Sequence, residues 1–364
     1  MFFVVSRGSL NVKRRKRTFQ IAVGPVRIGG GAPVSVQSMT KTDTRNVKKT
    51  LAQIHRLEDA GCEIVRVAVP DEQAARALPE IVRNAGIPVI ADVHFHHTLA
   101  LQAIEAGVGG LRINPGTIGN PKKIAAIVAN AREKGISIRI GVNSGSLEKD
   151  ILRKHGSPTP EALVESALRS IEQFERLSFT DIKVSIKSPD VRSTVSAYRL
   201  LSRKTRYPLH IGVTEAGTSF SGTIKSAVGL GILLEEGIGD TLRVSLTADP
   251  VEEVRVGFEL LKVLGLRQRG PEIISCPTCG RCHIDVLSIA KAIERKLATV
   301  KLPIKVAVMG CEVNGPGEAR EADIGIAGSK NMGVLFKKGA IVKRCPKKDL
   351  LREFYREISA LSEK

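Results

Sequence analysis

The chain is 364 residues long with a formal net charge of +19, 42% hydrophobic residues, 34 glycines and no tryptophan. A composition this apolar excludes a disordered chain, and the length calls for two domains, one of them large enough for a barrel. With aromatics at only 4%, a stacking platform for single-stranded nucleic acid or sugars is disfavoured, and the positive balance suits anionic ligands.

The first segment, MFFVVSRGSLNVKRRKR, places a short apolar run ahead of its basic residues, unlike a secretory signal. No stretch approaches the ~18 apolar residues that span a bilayer, so a cytoplasmic protein with no membrane partner is expected. Lys13, Arg14, Arg15, Lys16 and Arg17 read as an exposed basic arm within a lead-in of residues 1–30, and no nucleic-acid partner is expected. Six unevenly spaced cysteines in a reducing compartment suit thiolate ligands or nucleophiles better than disulfides.

From residue 34 to 264 one pattern repeats: an apolar strand, an amphipathic stretch, then a glycine. DAGCEIVRV, NAGIPVIAD, EAGVGGLRI, EKGISIRIG and EEGIGDTLRV each put Gly behind a helical pattern and ahead of a strand, as a left-handed helix cap requires. Strands are expected near 34–38, 64–68, 88–92, 110–113, 138–142, 182–185, 209–213 and 241–244. Eight such units predict an α/β fold, a (β/α)8 TIM-type barrel over residues 31–266. The connection from 143 to 181 is the longest between strands and reads as a lid over the site.

Side chains two apart on a strand share a face. One face collects Arg66, Asp92 and His94, Arg112 and Asn114, Arg139 and Asn143, Lys183, Ser185 and Lys187, His210 and Thr214, and Arg243 and Ser245; the other is mostly Val, Ile and Leu. The polar face belongs inside the barrel, toward the strand ends where barrel active sites lie. Each buried cation is costly without a partner, and Asp92 with Glu215 cannot balance so many. The arginines and lysines therefore predict a bound anion, and two phosphates on a small molecule suit paired guanidinium contacts. The turns NPGTIGNP (114–121) and NSGSLEKD (143–150) offer backbone amides to the same anion.

Beyond a polar linker at 265–272 the rhythm changes. A strand at 273–275, a helix near 284–298, strands at 304–309, 324–327, 332–336 and 341–344 and a helix near 348–361 predict a smaller α+β domain over 272–364. It holds five of the six cysteines, with Cys276, Cys279 and Cys282 in SCPTCGRC and Cys311 in VAVMGCEVNGPGEA. Cys62 reads as a core thiol. The spacing leaves open a dithiol redox pair, a structural zinc that includes His283, and an iron–sulfur cluster with dispersed ligands. A bacterial ferredoxin run is excluded, since position 286 is valine.

CPTCGR and GCEVNGPGE, preceded by APVSVQSMT, ADVHFHH, LRINPG, IRIGVNSGSL, VSIKSPD and GVTEAG, run in order through roughly residues 14 to 360. In these motifs the chain closely resembles the 4-hydroxy-3-methylbut-2-enyl diphosphate synthases of the methylerythritol phosphate route to isoprenoids, in their bacterial two-domain form. The resemblance implies a barrel that binds 2-C-methyl-D-erythritol 2,4-cyclodiphosphate and a C-terminal iron–sulfur domain with a 4Fe-4S cluster on Cys276, Cys279, Cys311 and Glu318. Arg112, Arg139, Asn143, Lys183, Arg243 and Ser245 are expected to hold the diphosphate, with Arg66, Asp92, His94 and Thr214 around it. Glu215 is expected to donate a proton or stabilise positive charge where the ring opens, a salt bridge to a barrel arginine being the alternative. Glu318 would be a labile ligand, because a carboxylate leaves an iron more exchangeable than a thiolate does. The resemblance gives Cys282 and Cys345 no role. Ferredoxin or flavodoxin is the implied electron donor. A linker of about eight residues reaches only ~28 Å, and with the resemblance this implies a head-to-tail homodimer.

Overall fold

The computed structural model describes residues 15–297, 300, 302–311, 317 and 319–362, side chains of 361 and 362 aside. Lys13, Arg14 and Glu318 lie outside the described residues. Two units divide between Arg267 and Gln268.

In the first unit, β1 (Ile21–Val23) and β2 (Val26–Ile28) pair antiparallel. Eight parallel strands follow: β3 (Ser35–Met39), β4 (Ile64–Ala68), β5 (Val89–Asp92), β6 (Gly110–Ile113), β7 (Ser137–Asn143), β8 (Ile182–Lys187), β9 (His210–Ile211) and β10 (Thr241–Leu242). The sheet runs β8-β7-β6-β5-β4-β3-β10-β9, and a bridge between Val184 and Leu209 joins its ends into a barrel. β9 and β10 are shorter than the sequence suggests, although Arg243 N–H still donates to Ile211 O at 3.0 Å beyond the ladder.

Outward side chains such as Val65, Val67, Ile138, Ile140, Val184 and Ile186 share one core with the surrounding helices. The hairpin plugs the barrel's N-terminal end: Ile21, Val23 and Ile28 pack on Ile64 and Ile90, the lowest inward side chains of β4 and β5. The helices start where a side chain can accept a first-turn N–H. Asn46, Asp71, Asn120, Thr159 and Asp190 each do so. Gly61 and Gly135 are left-handed, with φ of 92° and 65°, as caps demand. Gly86 is not: its helix stops at an extended Ala85, and Gly86 N–H instead donates to Glu58 Oε1 at 2.6 Å.

Two expectations change. The 143–181 connection is no lid, because it folds into the helices Lys149–His155 and Pro160–Arg176, which bury Ile151, Leu163 and Ala167. Nor are Arg15 and Lys16 part of a loose arm. Arg15 pairs with the buried Asp240 at 3.1 Å, and Lys16 Nζ donates to Thr205 O at 3.0 Å. A carboxylate under the barrel needs a cation, and the chain entering beside it supplies one.

The second unit is a five-stranded sheet, β11 (Glu272–Ser275), β12 (Lys305–Met309), β13 (Ile324–Gly328), β14 (Met332–Lys337) and β15 (Ala340–Pro346), in that spatial order. The first three are parallel and the last two antiparallel additions. Helices Val286–Leu297 and Leu350–Ser362 cover it, with Ile293, Val306, Val308, Ile326, Leu335 and Phe354 in the core. No helix among the described residues is long and apolar enough to cross a membrane.

Candidate active site

The register lines up the inward polar residues. Asp92, Arg112, Arg139 and Lys183 are successive partners across β5 to β8, while Met39 lies opposite Arg66. Because strands in a closed barrel are staggered, Arg139 and His210 fall below Arg66, Arg112 and Arg243, and Lys183 lies lower still. Above them, at the strand ends, stand His94, Asn114, Asn143, Lys187, Thr214 and Ser245, of which Asn114 and Lys187 are buried and the others half-buried.

Asp92 is the anionic centre of this group. Its Oδ1 accepts from Arg112 Nη1 at 3.1 Å, and its Oδ2 is 3.5 Å from Arg66 Nε. Burial pushes its carboxyl up, yet Arg66, the His94 hydrogen bond, Arg112 and Arg139 overcome that and hold it well below the usual range. Arg66 also donates from Nε and Nη2 to the Met39 sulfur, at 3.1 and 2.9 Å, and Arg243 Nη1 faces the same sulfur at 3.7 Å. Asn143, with its amide oriented to satisfy both ends, accepts from Arg112 Nη2 at 3.3 Å. Asn114 caps the following turn through Gly116 N–H at 3.0 Å and donates to Ser146 Oγ at 2.9 Å.

The cations outnumber their partners. Arg66, Arg112, Arg139, Lys183, Lys187 and Arg243 face two carboxylates, Asp92 and Glu253. Arg139 Nε and Nη1 and Arg112 Nε are buried with no partner among the described residues. Burial, then the other cations, displaces four of them: Arg66 falls to about 10, Lys183 to about 7 beside Arg139, and Arg139 and Lys187 well below their ordinary values. Burial and the same cations keep His210 neutral. A multivalent anion would relieve all of these shifts at once.

Two glycines make room for the cations, and sequence reading passed over both. A Cβ on Gly141 would lie 2.7 Å from Arg112 Nε, and one on Gly212 would lie 2.6 Å from Lys187 Nζ. Both sit at inward positions of IRIGVN and HIGVTE, where a residue between two polar neighbours has to be small. Glu253 was also missed. It belongs to helix Pro250–Val263 and reads in sequence as an ordinary first-turn carboxylate.

Glu215 lies just past β9, exposed, with a left-handed φ of 51°. The salt bridge considered for it is absent, since it has no ion pair or hydrogen bond among the described residues.

Four of the five thiols of the second unit follow two neighbouring parallel strands. β11 and β12 place Ser275 opposite Val308; Cys276 and Cys279 follow the first strand and Cys311 the second. Cys276, Cys282 and Cys311 are unpaired and half-buried, and Cys279 is unpaired and exposed. Thr278 N–H donates to Cys276 Sγ at 3.3 Å, and Cys279 N–H donates to Cys282 Sγ at 3.4 Å. This donor set suits a soft, thiolate-bound iron centre, although no three His, Cys, Asp or Glu among the described residues converge at metal-binding distance. Cys282 fills the space left by Gly310, whose Cβ would stand 2.2 Å from its sulfur. Cys345 is buried in the second unit, and burial pushes the Cys62 thiol up to about 12, which leaves it inert.

Residues 18–258 match the family model described as the GcpE TIM-barrel domain, and residues 272–360 match that of the GcpE protein C-terminal domain. The chain is 57% identical over 352 residues to 4-hydroxy-3-methylbut-2-en-1-yl diphosphate synthase (flavodoxin) of Desulfotalea psychrophila, covering 96% of this chain and 97% of that one. It is 59% identical over 347 residues to the protein of the same name from Geobacter sulfurreducens, covering 95% and 98%. Among solved structures, the N-acetylneuraminic acid (sialic acid) synthetase of Leptospira borgpetersenii serovar Hardjo-bovis superposes with a TM-score of 0.50 at 12% identity, over 77% of this chain and 96% of that one. That is a likeness of fold alone.

Proposed function

The chain belongs to the GcpE family, and on that premise we propose that it converts 2-C-methyl-D-erythritol 2,4-cyclodiphosphate to 4-hydroxy-3-methylbut-2-enyl diphosphate. The enzyme is an oxidoreductase. Two electrons enter, a carbon–oxygen bond to the ring diphosphate breaks, and one hydroxyl takes up a proton and leaves as water.

The observation that carries this reading is the barrel's excess of buried cations over carboxylates, with Arg112 and Lys187 seated against Gly141 and Gly212. Arg112, Arg139, Asn143, Lys183, Arg243 and Ser245 hold the diphosphate, and Lys187 joins them from the top of β8. Arg66, Asp92, His94 and Thr214 orient the carbon skeleton. The cations offset the charge that the diphosphate gains when the ring opens, and being fixed beforehand they need not reorganise. Glu215, exposed at the strand end and without an ion pair among the described residues, gives a proton or faces positive charge at the carbon where the ring opens. Its left-handed backbone is the kind of strain found at functional positions.

Cys276, Cys279, Cys311 and Glu318 would hold a 4Fe-4S cluster. Such a cluster delivers electrons and, at an iron with a labile oxygen ligand, acts as a Lewis acid toward the leaving oxygen. Flavodoxin is the electron donor that the names of the relatives favour, and an acidic carrier complements a chain of net charge +19.

A second copy of the chain completes the site, head to tail. Phe220, Ile224, Val228 and Ile232, four residues apart on helix Ser219–Glu235, form an exposed apolar stripe that a symmetric contact between barrels would cover.

Anaerobic reconstitution with iron and sulfide tests the cluster. A brown protein with about four irons per chain is expected, whereas a colourless protein that takes up zinc instead would contradict the reading.

A further inference from the structure

We infer that Glu253 is a positioning residue for the diphosphate end of the barrel, acting through Arg243; the inference rests on the reading of the barrel as a diphosphate site. Glu253 is 1% exposed, although it belongs to the helix Pro250–Val263 and not to a strand. Each of its oxygens has work inside the protein. Oε2 accepts from Ser38 Oγ at 3.0 Å and from Arg243 Nε and Nη2, both at 3.4 Å. Oε1 accepts from Leu246 N–H at 3.1 Å and pairs with Lys41 Nζ at 3.1 Å. Lys41 in turn donates to Leu246 O at 2.6 Å.

One carboxylate thus ties the end of β3 to Arg243 and to the backbone that follows it. A guanidinium has one face of paired donors on the Nε side and another at its tip. Glu253 occupies the Nε and Nη2 edge of Arg243, so the group is held by its shoulder, with Nη1 turned toward Met39 and Arg66 inside the barrel. Without that hold, Arg243 would keep only its contact with the Met39 sulfur against repulsion from Arg66 and Lys187. Asp92 cannot substitute, being committed to Arg66 and Arg112. The same carboxylate fixes Leu246, the residue after Ser245, and so sets where the Ser245 hydroxyl stands. Glu253 touches none of the reacting atoms. Its effect reaches the anion through the angle of Arg243, in the way that outer-shell partners orient inner ligands.

A double-mutant cycle tests this, with binding of inorganic pyrophosphate by titration calorimetry as the readout, so that neither cluster nor turnover enters. Glu253→Gln keeps the shape and the bond to Ser38 but discharges the hold on Arg243. It should weaken pyrophosphate about tenfold, and the loss should fall below about twofold when Arg243 is already Gln. Equal losses in both backgrounds, or no loss in the first, would overturn the inference. Wild-type protein that does not bind pyrophosphate would sink the diphosphate reading instead. Should Glu253→Gln not fold, Glu253→Asp retains the charge and withdraws it by one methylene from Arg243, and the same two outcomes apply.

Discussion

Gly141 and Arg112 occupy each other's space: on neighbouring strands β7 and β6, a methyl group at Gly141 would stand 2.7 Å from Arg112 Nε and 3.0 Å from Nη2. The guanidinium is a flexible end that can move aside, so Gly141→Ala should fold at a cost of about 1–3 kcal/mol while turning Arg112 away from Asp92. Calorimetry should show pyrophosphate bound at least about tenfold more weakly. At Gly212 the Arg243 carbonyl is also only 2.7 Å away, and backbone does not yield. Gly212→Ala should therefore lower Tm more than Gly141→Ala does. Equal melting temperatures would argue against this difference between the two seats.

The buried lysine makes anion binding a proton-linked event. Lys183 titrates near 7 in the barrel, through burial and then Arg139, so above that pH it is mostly neutral. Bound diphosphate stabilises the ammonium and raises the value. Titrations at pH 7.5 to 8 in buffers of different ionisation enthalpy should report net proton uptake, reduced in Lys183→Met. Proton release would contradict it. In the unliganded protein, an unfolded lysine holds its proton up to about pH 10.4. Between 7 and that value the unfolded chain binds more protons, so the Lys183 contribution to stability rises with pH.

Strain and activity should part at Glu215. Its φ of 51° is costly for a side chain bearing a Cβ, so Glu215→Gly should raise stability by up to about 1 kcal/mol. The same variant should bind pyrophosphate as the wild type does, because Glu215 pairs with no cation among the described residues. Turnover should fall by at least about a hundredfold if the carboxylate handles a proton. Unchanged turnover with a higher Tm would make Glu215 a structural residue.

Shared sites give mixing experiments their power. Cys311→Ala and Glu215→Ala should each be inactive alone, yet recover part of the activity when their subunits exchange, because one composite site of the heterodimer would then be intact. Proven exchange without recovery would place the whole site in one chain. Phe220→Asp, at the N-terminal end of the exposed stripe, should lower the apparent mass in sedimentation if that face joins the copies.

Much of this was legible because strands alternate. The positions of Arg66, Asp92, Arg112, Arg139 and Lys183 follow from counting by twos along apolar runs; the register makes the last four successive partners, and Arg66 reaches Asp92 through its side chain. What escaped had no period to reveal it. The hairpin β1–β2 has two strands of three residues each, too short to show alternation. Glu253 reaches Arg243 from a helix, across elements that sequence does not place side by side. Gly141 and Gly212 look like gaps in a strand until the neighbouring cation is known. The 143–181 segment looked irregular because its first helix, Lys149–His155, is too short for a repeating apolar face. The cysteines were visible as a group, but spacing alone left a dithiol redox pair, a structural zinc and an iron–sulfur cluster open.

Anaerobic turnover addresses the central claim most directly. Iron- and sulfide-loaded protein, the cyclic diphosphate and reduced flavodoxin would be followed by phosphorus NMR. The expected result is loss of the cyclic signals and growth of those of a linear allylic diphosphate, with two electrons consumed per product. Cyclic diphosphate recovered unchanged from protein that carries its full iron and sulfide would contradict the function proposed for this chain.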